Sequence, residues 1–308
     1  MSALPTTILL ATDGSDEAVS AARTAAELCG KIGSELHVVH VGPQGRFIGT
    51  EVGPVFFDAY QEEEDLQKRL DEQSRKLLDE QVEKIETEGV TVTETHLGVG
   101  NQADNIVRLA EEIGADTIVM GSRGLGGVRR ALMGSVSEDV VRHAHCPVLV
   151  VRGHEREALF PARIVLAVDG SRESDAATRT AAALAGGTGS ELYIVHAGPT
   201  EQLPNDYPYL AENVESFFEH ANEEARKFLE ARAEQIREDT DAPVHIHLRP
   251  GTPEKEIVEL AEEIDAGLVI LGSRGLGGIR RALMGGVSNS VVRHARCPVL
   301  VVRTEDGQ

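Results

Sequence analysis

Short apolar runs alternate with amphipathic stretches along the whole chain, and the series occurs twice. In the first half Thr7–Thr12, Glu35–Val41, Val90–Leu97, Thr117–Gly121 and Val148–Val151 are brief and largely apolar. Such runs read as strands. Between them the period becomes helical. Over Asn101–Ile113 the residues Ile106, Leu109, Ala110 and Ile113 fall on one face, and the second half repeats the stripe as Ile257, Leu260, Ala261 and Ile264. There Thr252 is the expected N-cap, with Pro253 at the first helical position. A longer helix is predicted from Asp58 to Glu88, with Leu66, Leu70, Leu77, Val82 and Ile85 inward and the acidic run Glu62 to Asp65 in solvent. Strands alternating with helices imply a parallel sheet covered on both faces.

The repetition is close enough to be a duplication. Gly121 to Arg152 and Gly272 to Arg303 differ only at Val128/Ile279, Ser135/Gly286, Glu138/Asn289, Asp139/Ser290 and His145/Arg296. Earlier, Ile8 to Ser15 recurs as Ile164 to Ser171, and Glu35 to His40 as Glu191 to His196. The order of motifs is kept, which is the signature of two copies of one domain. The expected domains are 1–153 and 161–308, joined through Gly153 to Phe160 ahead of Pro161. A copy of about 150 residues buries enough surface to fold without disulfide or metal.

Composition narrows the setting. The formal charge is −21, with 51 acidic against 30 basic residues, and repels phosphate backbones. Nucleic acid is therefore not an expected partner. An acid-rich surface with few lysines suits a high-salt cytoplasm, where screening shortens the reach of self-repulsion. Cys29, Cys146 and Cys297 form no disulfide framework and read as buried, unreactive thiols. No apolar segment reaches the length of a membrane span, and the N-terminus lacks the basic and apolar regions of a signal peptide. A cytoplasmic protein is expected.

The candidate chemistry lies where the strands end, because ligands of open parallel sheets bind beyond the carboxyl ends at the switch point. Asp13 follows the first strand, Val41 ends the second, and Gly121 ends the fourth. From Gly121 a loop runs through Gly124 to Gly134-Ser135, where a helix begins that continues through Val136 to His143. Glycines let a backbone approach a phosphate, and a serine at a helix N-terminus adds a hydroxyl where the dipole favours an anion. The loop lacks the Gly-Lys-Ser/Thr of a Walker motif, and Arg129 stands where a dinucleotide fingerprint needs its third glycine. Arg123, Arg129 and Arg130, with Arg274, Arg280 and Arg281, suit phosphate or plain solvation equally. His40 and His196 end the second strand of each copy as structural histidines. His245 and His247 alternate along one strand, but no carboxylate or Cys at metal spacing accompanies them, so no metal ligand set is expected.

The spacing Gly121-x-x-Gly124, nine residues, Gly134-Ser135 resembles the nucleotide-binding members of the universal stress protein family. The early Asp13, the Cys146-Pro-Val-Leu-Val-Val151 strand and the order of elements extend the resemblance over both copies. It implies two tandem Rossmann-like α/β domains, each a five-stranded parallel sheet of order 3-2-1-4-5, paired through their fifth strands. An intrachain pseudo-dimer follows, to which a further homodimer of whole chains is compatible. It also implies ATP, or ADP or AMP, held with Mg2+. Ala11 and Val41 would meet the adenine, flanked by Thr12 and Met120. Asp13 would hold ribose or a magnesium-bound water. Gly121, Ser122, Arg123 and Gly124 would follow ribose and phosphate, and Gly134, Ser135, Val136 and Ser137 would bind phosphate oxygens. The second copy offers Ala167, Asp169, Ala197, Gly272, Ser273, Arg274, Gly275, Gly285, Gly286, Val287 and Ser288. There Gly286 replaces the motif's Ser or Thr; as an N-cap it spares the helix while removing a hydroxyl, so the second site is expected to be weaker. The functional expectation is an ATP-binding stress sensor or adaptor with an unidentified protein partner. A slow ATPase or self-phosphorylating switch, and a nucleotide-free interaction module, are the alternatives.

Overall fold

Alternating strands and helices build one continuous sheet from the two halves of the chain. The computed structural model describes residues 4–44, 56–87, 89–125, 133–152, 161–198, 211–275 and 284–304, without the side chains of 56–64 and 211–217. The first half runs β1 (Thr7–Ala11), α1 (Asp16–Ile32), β2 (Glu35–Gly42), α2 (Phe56–Thr87), β3 (Glu94–Val99), α3 (Gln102–Glu112), β4 (Thr117–Gly121), α4 (Ser135–His143) and β5 (Val148–Val151). The second runs β6 (Arg163–Ala167), α5 (Arg172–Thr188), β7 (Glu191–Gly198), α6 (Ala211–Asp239), β8 (Val244–Pro250), α7 (Pro253–Glu263), β9 (Leu268–Gly272), α8 (Gly286–His294) and β10 (Val299–Val302). The join at 153–160 lies outside the described residues.

The ten strands lie in the order β3-β2-β1-β4-β5-β10-β9-β6-β7-β8, so each half has the order 3-2-1-4-5. Pairing is parallel within each half. Between the halves β5 and β10 run antiparallel, with Val150 opposite Val299, Leu149 opposite Leu300 and Val148 opposite Val301. The expected side-by-side placement of the fifth strands is therefore what the chain adopts, and it satisfies the edge each half would expose. Arg152 and Arg303, the last residues of the repeat, lock this seam. The Arg303 guanidinium donates to the carbonyls of Arg142 at 2.5 Å and Ala144 at 3.1 Å, and Arg152 donates to Ala295 O at 3.3 Å. Each thus meets the C-terminal end of the other half's α4 or α8, where the helix dipole favours a cation.

Two apolar layers sandwich the sheet. One packs α1, α2, α5 and α6 against Ile8, Leu10, Leu36, Val38 and their counterparts; the other packs α3, α4, α7 and α8 against Leu9, Val39, Ile118, Val165 and Val269. α1 starts at Ser15, whose hydroxyl accepts from Ala18 N–H, and stops at Gly33 in the left-handed region, φ 75°.

Three expectations shift. β3 is Glu94–Val99 rather than Val90–Leu97, because Val90 and Val92 pack on the core without pairing as strand. On α2 the buried stripe is Ser74, Leu78, Gln81 and Ile85; Leu66 is exposed, and Leu70 and Leu77 turn to the end of the sheet. Apolar pattern alone misses this face because two of its members are polar. Thr252 holds the N-cap position of α7 but makes no side-chain cap bond. Burial pushes the thiols of Cys29 and Cys146 up to about 11, in keeping with unreactive cysteines.

Candidate functional site

Three segments meet where β1, β2 and β4 end. β1 gives way after Ala11 to a turn at Thr12-Asp13-Gly14. Ring Nδ1 of buried His40, near the end of β2, donates to Thr12 O at 2.8 Å, while Thr12 N–H donates to Val39 O at 2.9 Å. These bonds fix the two strand ends together, and His196 repeats the ring contact to Val168 O at 2.8 Å. Both histidines are structural ties, as read from sequence.

Asp13 is the hinge pin of the site. Its Oδ1 accepts from Ser15 N–H at 3.0 Å, and its Oδ2 accepts from Leu125 N–H at 2.8 Å, so one carboxylate holds the first turn against the glycine loop. A Cβ on Gly124 would overlap that carboxylate. Gly121 is constrained differently: a Cβ there would stand 2.9 Å from the Glu17 carbonyl carbon, so β4 ends against the first turn of α1. Gly272 has the same relation to Glu173, at 2.8 Å.

Behind the loop, Ser122 is fully buried and its hydroxyl donates to Glu17 Oε2 at 2.6 Å. Arg123 donates through Nε to Glu17 Oε1 at 2.6 Å. Its guanidinium is thus paired, which leaves less of its charge for an anion. Arg274 repeats the pairing with Glu173 at 3.1 Å. Arg129, Arg130, Arg280 and Arg281 lie outside the described residues. Burial lowers the pKa of Arg152 from its ordinary value, helped by the charge of Arg123 and opposed by Glu17.

The loop returns at Gly134, whose N–H donates to Ser122 O at 2.8 Å. Gly134, not Ser135, is the N-cap of α4, at φ −81° and ψ 156°, and no side chain caps the helix. Gly285 caps α8 in the same way. The Ser135/Gly286 difference therefore falls at the first helical residue, and the caps of the two copies are identical. Ser135 is exposed at this uncapped end; Ser137 is buried and donates to the carbonyls of Ser122 at 2.7 Å and Gly134 at 3.0 Å. The proton of Ser137 is spent on bracing the loop. In the second copy Ser288 donates to Gly272 O at 2.7 Å, Asp169 accepts from Ser171 N–H at 3.0 Å, and the buried Ser273 hydroxyl has no partner among the described residues.

These features enclose a cavity of about 810 Å3. Ala11, Thr12, Asp13, Val41, Met120, Gly121, Arg123, Gly124, Gly134, Ser135, Val136 and Ser137 line it, so the sequence-read residues of the first copy converge, except that Ser122 lies behind the wall. Leu70, Gln73, Ser74 and Leu77 from α2 and Gln102 and Ile106 from α3 were not foreseen as wall residues. Among the described residues no lysine lines the cavity. In the second copy Ala167 and Ala197 stand at the ends of β6 and β7, with Asp169 beyond β6, and a Cβ on Gly275 would overlap its carboxylate.

The profile of the universal stress protein family matches residues 5–152 and again 162–303. The chain belongs to that family. A universal stress protein of Mycolicibacterium smegmatis is 30% identical over 300 residues, 96% of both chains. One from Mycobacterium bovis is 36% identical over 194 residues, so the match spans 61% of this universal stress protein and 62% of that relative. Among solved structures, a universal stress protein from Archaeoglobus fulgidus DSM 4304 aligns with TM-score 0.70 and 27% identity, covering 98% of this chain and 97% of that one. Family membership accounts for the fold of each half. No described helix is long and apolar enough to cross a membrane.

Proposed function

We propose that this protein is an ATP-binding sensor or adaptor of the stress response, with the first copy holding the nucleotide. One observation carries the reading: the uncapped N-terminus of α4, with Ser135 at its first residue, lines the same cavity as Asp13. Unpartnered N–H groups at a helix start attract phosphate oxygens, and the dipole adds to that attraction. The cavity falls within the about 300–1,000 Å3 usual for small-ligand sites, and its apolar walls at Ala11, Val41, Leu77 and Ile106 suit a planar base.

Asp13 is the residue that would hold Mg2+ or its water. The bound ion would supply charge neutralisation between that carboxylate and the phosphates, a service no lysine in the wall provides. The chain's own groups bind and orient: Asp13 and Ser15 fix the turn, Glu17 restrains Arg123, and Ser137 braces the loop. Nothing lining the cavity offers a lysine for phosphoryl transfer, which favours binding over turnover. The nucleotide content of the purified chain, followed by phosphate release over hours, tests this reading. Bound adenine nucleotide with negligible release is expected; steady release would favour the ATPase, and a nucleotide-free protein that takes up none would favour the interaction module.

We further infer a cytoplasmic, high-salt setting from the charge of −21. At molar salt the Debye length falls to about 3 Å, relieving repulsion among the excess carboxylates. The thermal midpoint should then rise from dilute buffer to molar KCl. A flat or falling midpoint would contradict the inference.

A further inference from the structure

The outer edge of the first copy carries a cluster that nucleotide binding leaves unused. His37 is the third residue of β2, and Glu94 and His96 lie two apart on β3. The parallel register sets His37 opposite Glu94 and Val39 opposite His96, so the three side chains share a face. They stand toward the amino ends of the strands, away from the crevice at the carboxyl ends. His37 Nδ1 and His96 Nε2 are 3.1 Å apart, and Glu94 Oε2 is 3.9 Å from the first and 4.0 Å from the second. The rings stack with centroids at 5.4 Å. Both imidazoles are sunk, at 10% and 17% side-chain exposure, while the carboxylate is 63% exposed.

Two nitrogens on one tetrahedral zinc, each at about 2.0–2.1 Å, stand about 3.3–3.4 Å apart. The ring nitrogens are already near that separation, and Glu94 closes the triangle by moving less than about 1 Å. We propose that His37, Glu94 and His96 form a site for a borderline divalent transition metal, Zn2+ foremost, with water completing the shell. Two imidazoles and one carboxylate suit Zn2+ and disfavour the oxygen-seeking Mg2+ and Ca2+.

The second copy shows why one ion per chain is expected. Tyr193 replaces His37 and His245 replaces Glu94, while His247 keeps the place of His96. The Tyr193 ring stacks on His245 at 4.5 Å, and its hydroxyl donates to Glu191 Oε2 at 2.8 Å. Glu191 lies 3.6 Å from His245 but is not joined to His247 in a ligand set.

The test uses the full chain, stripped with chelator and titrated with Zn2+ by equilibrium dialysis in excess Mg2+, which occupies hard-oxygen sites. One Zn2+ per chain is expected. His37→Tyr, which installs the second copy's own residue, and His96→Gln should each weaken it by no less than the about 10–100-fold that follows loss of an outer-shell partner. Glu94→Gln, at an exposed position, weakens it while leaving the metal-free unfolding curve unchanged. Co2+ should give the intense visible absorption of a tetrahedral site in the unaltered chain and lose it in His37→Tyr. No Zn2+ uptake by the unaltered chain would overturn the proposal and leave a hydrogen-bonded histidine pair. Uptake unchanged across the three variants would overturn it too, placing the ion among other histidines.

Discussion

Gly121 and Gly124 look alike in the motif but answer to different neighbours. A methyl group on Gly121 meets the α1 backbone at 2.9 Å, where neither element can yield without moving helix against sheet. Gly121→Ala should therefore cost about 1–3 kcal/mol of stability, as overpacking does, and lower the urea midpoint. Among the described residues a methyl group on Gly124 meets only the Asp13 carboxylate, the end of a flexible side chain. Gly124→Ala should leave the midpoint nearly unchanged while weakening Mg-ATP binding, because Asp13 must release Leu125 N–H. Equal loss of stability in both variants would show that the loop serves packing alone. The glycine positions were legible in the sequence, since a short motif repeated in both halves marks them. Their reasons were not: the packing of Gly121 on Glu17, and the diversion of Ser122 and Ser137 into the loop's own hydrogen bonds, depend on residues brought from afar.

At the level of elements, long-range ties set the strand ends. Asp116, in the turn before β4, accepts from Thr6 N–H at 2.8 Å, Thr6 Oγ at 2.7 Å and Thr7 N–H at 3.1 Å, anchoring the start of β1. Burial pushes its carboxyl up, but the hydroxyl and two backbone N–H groups outweigh this and hold it below the usual carboxylate range. A depressed folded value contributes stability above the unfolded pKa of about 3.9 and loses it as pH falls through the folded value. Asp116→Ala should cost about 0.5–1.5 kcal/mol near neutrality. In denaturant melts across pH, its gap to the unaltered chain should narrow below about pH 4; a gap that widens on acidification would be the wrong sign. Element types and order were readable because strand and helix periods differ sharply along the chain. The start of β3 and the inner face of α2 were not, since Val90 and Val92 are apolar without being paired, and Ser74 and Gln81 are buried without being apolar.

For the whole molecule, the duplication makes one chain its own dimer, and the arginine ending each repeat is placed to hold it. Arg303→Ala should cost about 1.5–3 kcal/mol by stranding the carbonyls of Arg142 and Ala144, with Arg152→Ala acting in the same direction on α8. Equilibrium melts check this; no change in either variant would mean that the β5–β10 ladder and its apolar faces suffice. The pairing itself was implied by the family resemblance, which puts the fifth strand at an edge of each half, whereas the arginines gave no signal beyond recurring. The duplication also makes the two crevices an internal comparison, in which Ser135 and Gly286 differ at the first helical residue and Glu138 and Asn289 differ within the first turn. A hydrogen bond to a charged phosphate is worth about 1.5–3 kcal/mol, so the second crevice should bind about ten-fold or more weakly. Among the described residues a Cβ at Gly286 meets nothing within 4 Å, so a serine fits there without strain against them. The most direct test is a calorimetric titration of the full chain with Mg-ATP. It should show one tighter site, weakened by Ser135→Ala and lost when Gly124→Val is added, with Gly286→Ser strengthening the second. Absence of binding, or two equal sites untouched by Ser135→Ala and Gly286→Ser, would contradict the assignment of the first crevice as a nucleotide site governed by Ser135.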